Sequence, residues 1–493
     1  MPLNPWRTPV IVGVGEINDR PAAPEQGLDS VGLMIAALQA ADADAGGGFL
    51  QRCDRLYVVP QISFRQLDPP SLLSAQLGTP PARIRQAEQA SGDTPVRHLN
   101  DAANAVAAGE AQVCLIVGGE ALRTAAARDP GGGELFQGSR RSAPELRRRY
   151  GLVTPAEIYP LFENATRAAW GQTLAQAQAE TAEIWSRMSQ VAAHAAGAWL
   201  KQPRAPAEIL EASPANRPIV FPYRKLMVAN PSVNQGAALI VTSLAAAREA
   251  GVPERRVVYV GAGAAAHEPD EPLARADWGV PPGLAVSIRR ALSLNDLAAD
   301  ELDLVELYSC FPCVPKMARR VLGWPLERPV TVHGGLTFGG GPIGNYMTHA
   351  AAAMVRRLRE DGRHGLLFAN GGHCTHNHTI LLSRRPPAPG ALPQGYDFQA
   401  EADALRPPAP PITDAFEGSV TVETFAVRYD PAGKPADGVV LSRNAAGARV
   451  VARADVADAP TLAFLTDGRR EPVGAAGVTR RDGETLLWRP AAA

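Results

Sequence analysis

Apolar and polar positions alternate along most of the chain in two rhythms. "PVIVGVGE" (9–16) is a short apolar run that ends in glycines, and "DRLYVVP" (54–60) is a second one. Between them "GLDSVGLMIAALQAADA" (27–43) reads as a helix with Asp29 or Ser30 near its cap. Strand-like runs followed by Ala-rich helical runs predict an α/β sheet with helices packed on its faces.

The chain also echoes itself. "RHLNDAANAVAAGEAQVCLIVGGE" (97–120) is a helix, a turn glycine, an apolar strand and a double glycine. "THAAAAMVRRLREDGRHGLLFANGGH" (348–373) repeats these parts in order, and the turn glycine precedes the pair by nine residues in both. Two related α/β halves explain the echo and place two buried helices side by side. Residues 122–228 break the pattern. They hold the Arg-rich "RRSAPELRRRY" (140–150) and the helical "TLAQAQAETAEIWSRMSQVAAHAAGAWL" (173–200), and read as an inserted loop or lid. After the Pro-rich "RRPPAPGALPQG" (384–395) and "RPPAPP" (406–411), "SVTVETFAVRYD" (419–430) alternates with period two and "GVVLSRNAAGARVVARA" (438–454) reads as a hairpin. The resulting division is a first half at 1–121 and 229–245, the insertion at 122–228 and a second half at 246–390. A linker at 391–411 then leads to a small β-barrel-like module at 412–493.

Composition narrows the function classes. With 49 Lys+Arg against 50 Asp+Glu, the chain lacks the basic excess that nucleic acid or an anionic membrane requires of a main partner. No apolar run approaches the ~20 residues of a membrane span. "MPLNPWRTPVIVGVGE" has no basic segment followed by an apolar one, and five cysteines do not make a disulfide scaffold, so the expected location is cytoplasmic. Richness in Ala, Gly, Arg and Pro fits a GC-rich bacterial gene.

The candidate chemistry gathers in "ANGGHCTHNHT" (369–379). A metal site needs three or four convergent ligands. His376 and His378 face one way on an extended segment, but no third ligand stands at diagnostic spacing. The remaining readings are a pocket rim carrying His373, Cys374 and His376, or a polar connection between core strands. Cys310 and Cys313 form a CxxC without the second pair or redox setting such a motif needs. A replacement nucleophile and a pair of small buried residues both remain open.

Four stretches in order, "GEAQVCLIVGGEA" (109–121), "NPSVNQGAALIVTS" (230–243), "DLVELYSCF" (303–311) and "HGGLTFGGGPIGN" (333–345), resemble the thiolase superfamily. The resemblance spans about residues 5 to 390. With the C-terminal β module it is closest to the acetyl-CoA acetyltransferase-like group called thiolase-like proteins type 1. It implies a five-layered αβαβα body of two related halves with a loop domain, and an acyl-CoA or CoA ester as substrate with no further cofactor. It also implies a possible homodimer or partner subunit.

Each of the superfamily's four functional elements is altered here. The nucleophilic cysteine falls at Gly92, the activating histidine at Gly341, the Asn-Glu or His-Asp pair at Tyr308-Ser309, and the second cysteine at Ala369. The resemblance therefore implies a thioester pocket without its usual nucleophile. Helix starts at Thr94 and Asn345 would aim their N–H groups into it. Catalytic candidates are Cys310, Tyr308, His349, His373, Cys374 and His376. Substrate-binding candidates are Gly92, Thr94, Asn345, Tyr346, Gly340, Gly341 and Arg123, with the Arg run at 140–149 placed for CoA phosphates or simply solvated. No metal is expected. The leading expectation is acetyl-CoA acetyltransferase-like acyl transfer. The alternatives are a carbon–carbon lyase using tyrosine acid/base groups, as in a thiolase-fold branch acting on steroid CoA esters, and a non-catalytic acyl-CoA binder.

Overall fold

The computed structural model describes residues 3–77, 80, 83–130 and 143–491. Seventeen strands run in chain order: β1 Pro9–Asn18, β2 Arg55–Val58, β3 Arg83–Gln86, β4 Val113–Ala121, β5 Pro218–Val220, β6 Tyr223–Arg224, β7 Asn234–Ser243, β8 Val258–His267, β9 Leu304–Leu307, β10 His364–Gly371, β11 His376–Ser383, β12 Ile412–Thr413, β13 Gly418–Tyr429, β14 Pro435–Arg443, β15 Arg449–Ala454, β16 Ala476–Asp482 and β17 Thr485–Pro490.

The body is built on one strand path, β3-β2-β4-β7-β1-β8-β11-β10-β9. It divides at the short β1–β8 seam, where only Val10↔Tyr259 and Ile11↔Val258 pair. On one side β2 and β4 are parallel, then β4–β7 and β7–β1 antiparallel. On the other, β9 and β10 are parallel, then β10–β11 and β11–β8 antiparallel. The sequence echo is thus a repeat of topology. Helix Ser30–Ala45 covers the outer face of the first half and Pro282–Leu294 that of the second. Helices Thr94–Ala108 and Tyr346–Glu360 lie between the halves, touch each other and contact strands of both. Their faces are almost entirely buried, which explains their runs of alanine: a small side chain lets helix and sheet approach closely while still removing apolar surface from water. The result is a mixed α/β thiolase-like fold in five layers.

The double glycines have a reason. A Cβ at Gly118 of the first half would lie 2.1 Å from Asn345 Oδ1, at the start of the second half's central helix. A Cβ at Gly371 of the second half would lie 2.0 Å from Ser91 Oγ and 2.7 Å from Asp93 Oδ1, at the start of the first half's. Each half's glycine therefore makes room for the other half's helix start.

The C-terminal domain is a β-barrel. Pairing runs β13–β14–β15–β17–β16 and back to β13, which closes the ring and removes its edges. The structure adds detail to two segments. The insertion lends β5 and β6 to the barrel's sheet through Arg428↔Val220. The Pro-rich stretch 391–411 is partly ordered. It carries helix Gln399–Leu405, and Ala265 and Tyr396–Phe398 bond through their backbones.

Candidate active site

A cavity of about 610 Å³ opens where the two halves and the insertion meet. One wall is the start of the first central helix (Ser91, Gly92), another the β10 end (Asn370, Gly371, Gly372, His373), and a third the loop carrying Tyr308, Cys310 and Phe311. Gly341 and Gly344 close it from the second half, and Val153, Ile219 and Val228 supply an apolar side from the insertion. The backbone N–H groups of Gly92 and Gly344 have no protein acceptor among the described residues. They are available to an oxygen in the cavity.

Tyr308 takes the place of a side chain at position 92. A Cβ built on Gly92 would fall 2.4 Å from the Tyr308 hydroxyl and 2.2 Å from Asn370 O. The phenol has no protein hydrogen-bond partner among the described residues, and burial holds its pKa well above the ordinary tyrosine value. It is therefore a proton donor at neutral pH. Beside it Ser91 donates to the buried Asp93 carboxylate. Asp93, not Thr94, occupies the cap position of this helix; Thr94 is its first residue, buried and outside the cavity lining. Tyr159 stacks on Phe311 with centroids 4.6 Å apart and sets its hydroxyl 3.0 Å from both Asn370 Oδ1 and Gly372 O, fixing the glycine rim.

The thiols do not look like nucleophiles. Cys310 lines the cavity, but burial pushes its pKa up to about 12. Cys313 and Cys374 are fully buried, outside the cavity lining, and pushed up further for the same reason. A thiol at these values is essentially never a thiolate near neutrality. Cys374 also sits in the turn between β10 and β11 with φ 57°, a left-handed conformation few side chains adopt.

The histidines separate. His373 lines the cavity, held neutral by burial, which pushes its pKa down to about 3, with Arg147 3.4 Å from its Nε2. His376 faces a different cavity and pairs with His267 at 2.9 Å, so it is not at this wall. His349 is placed away from the cavity as well. Its Nδ1 lies 2.8 Å from Glu16 Oε1, deep between the central helix and β1. Tyr346 is buried behind Tyr308, edge to face at 6.1 Å, and donates to Glu306 Oε1 at 2.7 Å. Burial outweighs the hydrogen bonds from Tyr346, Val332 and Thr331 and raises Glu306 to about 7.

Gly340 packs over Gln235 and Asn345 over Gly118, neither lining the cavity. Arg123 is exposed, near Arg20. Of the Arg run, 140–142 lie outside the described residues. Arg147 is buried and donates to Leu152 O and Val153 O, and Arg149 pairs with Glu145 and Asp414. These two arginines hold the insertion to the body and barrel.

Glu16, His333 and His349 form the group among the described residues whose donor atoms, all within 4.8 Å, have the spacing of a metal site. Arg356 already pairs with the other Glu16 oxygen. Burial would raise the Glu16 pKa, but His333, His349 and Arg356 outweigh it and hold the carboxyl at about 2. The group reads as a buried charge lock. Sequence reasoning missed Asp93, Glu306 and Tyr159. The first two stand one residue past Gly92 and two before Tyr308, a signal that was available; Tyr159 enters from the insertion, where none was.

Residues 397–484 match the family described as thiolase-like protein type 1 additional C-terminal domain. The crystal structure of a monomeric SCP2-thiolase-like protein type 1 from Mycobacterium smegmatis is 30% identical, with 99% of this chain and 100% of that chain covered at a TM-score of 0.83. An Ltp2–ChsH2(DUF35) aldolase matches at 19% identity and TM-score 0.60, over 77% of this chain and 98% of that one. Human mitochondrial 3-ketoacyl-CoA thiolase matches at 14% and 0.57, over 77% and 99%. These two likenesses are of fold alone. No curated protein matches the chain. The chain belongs to the thiolase-like proteins type 1 of the thiolase superfamily, with the additional C-terminal domain of that group.

Proposed function

We propose that the chain is a carbon–carbon lyase that cleaves a 3-hydroxyacyl-CoA thioester by a retro-aldol step. The observation that carries this reading is the Tyr308 hydroxyl in the space a nucleophile's side chain would fill, in a cavity whose one lining thiol is held protonated. Acyl transfer through a covalent thioester needs a thiolate as carrier and leaving group. A retro-aldol step needs only an acid, a base and a place for the enolate oxygen.

The groups present meet those needs. The thioester oxygen accepts from the free N–H groups of Gly92 and Gly344 as enolate charge develops. The β-hydroxyl gives its proton to Ser91, whose own proton passes to Asp93. The Cα–Cβ bond breaks, its electron pair forms the enolate, and the β-carbon leaves as an aldehyde or ketone. Tyr308 then protonates the α-carbon, and Asp93 returns a proton to the phenolate, whose electrostatic coupling to Asp93 marks them as neighbours. The apolar side contributed by Val153, Ile219 and Val228 suits a pantetheine arm. One structure of similar fold is named an aldolase.

The test is product analysis of the full-length protein with a series of 3-hydroxyacyl-CoA esters, beside Tyr308→Phe. A shortened CoA thioester and a carbonyl product in equal amounts, lost in the variant, support the reading. Binding of the same esters without cleavage would leave a non-catalytic binder.

A further inference from the structure

A second cavity, about 760 Å³, adjoins the first, and Ala90, Ser91 and Gly372 line both. Its lining is of a different kind. Arg85, Arg97 and His376 face it where the first cavity has valine, isoleucine and phenylalanine. The acids there are mostly engaged: Asp93 accepts from Ser91, and Asp101 accepts from Tyr396 at 2.8 Å. Glu88 stands exposed at the rim. Arg85 reaches Asp101 only at 3.9 Å. Among the described residues the Arg97 guanidinium makes no direct hydrogen bond or ion pair, though its charge acts on Asp101.

We propose that this cavity holds the acyl end of the substrate, and that the acyl group carries a terminal carboxylate bound by Arg97 with Arg85 beside it. The inference rests on the CoA-ester reading of the first cavity and names the class of acyl group. A carboxylate matches the planar fork of a guanidinium, which would otherwise face the cavity without an acceptor. Reach agrees as well. Arg97 lies in the first turn of the helix that Gly92 leads into, and Ser91 beside Gly92 lines both cavities. A short diacyl chain whose thioester sits at Gly92 would pass Ser91 to meet it. The phosphates of CoA do not compete for the place, because the pantetheine arm holds them much farther from the thioester. In the cleavage step the carboxylate would stay on the departing aldehyde or ketone and lead it out through the second opening.

The experiment is isothermal titration of the full-length protein with adipoyl-CoA, hexanoyl-CoA and free CoA, none of which carries a β-hydroxyl to cleave. Wild type should bind adipoyl-CoA about tenfold or more tighter than hexanoyl-CoA, the usual worth of a hydrogen bond to a charged group. Arg97→Gln should erase that preference and leave hexanoyl-CoA and CoA unchanged, and Arg97→Lys should keep part of it. Equal affinity for the two esters in wild type overturns the inference alone. Equal weakening of all three ligands by Arg97→Gln also overturns it, since that marks a phosphate contact. Failure to bind any CoA ester would overturn the reading of the first cavity and this inference with it.

Discussion

The two central helices begin in the same way and end in different chemistry. Each is entered through glycine, at Gly92 and Gly344, and each start packs on a glycine of the opposite half. At the first, Ser91 and Gly92 are open to a cavity and face a free phenol. At the second, Asn345, Tyr346 and His349 turn inward onto Gly118, Glu306 and Glu16. The connections differ in step. Four residues, 372–375, join β10 to β11, while the matching link between β4 and β7 is 122–233, which contains the insertion that lends Tyr159 to the site. A repeat preserves the backbone that both halves need for packing. It leaves side chains free to become a site in one place and a lock in the other.

This contrast can be broken from either end. The largest expected effect is that of Tyr308→Phe. It removes the acid of the open end and should lower turnover by about 10²–10⁴-fold, the range for a positioned acid or base. Affinity for a saturated acyl-CoA should not change, which titration checks. Next comes Glu16→Gln at the closed end. Cutting the carboxylate out of a buried group with His349 and Arg356 should cost about 3–5 kcal/mol in denaturant unfolding and leave CoA-ester affinity as it was.

The glycines sharpen the comparison. Gly371→Ala and Gly118→Ala each force a Cβ into a buried polar atom and should each cost about 1–3 kcal/mol. Only Gly371→Ala, which displaces Ser91, should also lower turnover. Differential unfolding and steady-state rates on the pair separate the two effects.

The remaining effects are in the pH dependence of stability. Glu16 is held at about 2 against an ordinary 4.5, so its contribution is present above 4.5 and is lost as pH falls toward 2. His333, held near 4 against 6.5 chiefly by burial, adds a loss as pH falls from 6.5 to 4, because the unfolded chain takes up the proton first. Glu306 has the opposite sign. Its folded pKa of about 7 lies above 4.5, so the folded state holds a proton the unfolded state has released, and stability falls as pH rises from 4.5 through 7. Glu306→Gln should flatten that limb in unfolding curves between pH 5 and 8 and leave the acid limb unchanged.

Much of the fold was legible because packing writes it into the sequence. Apolar runs, turn glycines and the repeated double glycine are conditions for burying helices between sheets, and each survives wherever the layer does. Gly92 and Tyr308 were singled out through the resemblance of their stretches, and both line the cavity. The placing of His349 was not legible. One turn after Tyr346 in sequence, it packs with Tyr346 around His333 but reaches Glu16, 333 residues away, and not the cavity. His376 was misjudged for a related reason. The turn at 372–375 reverses the chain, so residues adjacent to the rim in sequence continue on the neighbouring strand. Barrel closure, and the insertion's two strands within its sheet, depend on pairings between distant segments, which periodicity alone does not encode.

The central claim is that the pocket works on a CoA thioester without a covalent carrier. Intact mass spectrometry tests it most directly, on the protein incubated with 3-hydroxyacyl-CoA and 3-oxoacyl-CoA esters and quenched during turnover. The chain should stay unmodified in every sample, with cleavage products accumulating in the wild type and absent from Tyr308→Phe. An acyl adduct mapped to Cys310, Cys313 or Cys374 would contradict it and return the chain to acyl transfer through a relocated nucleophile.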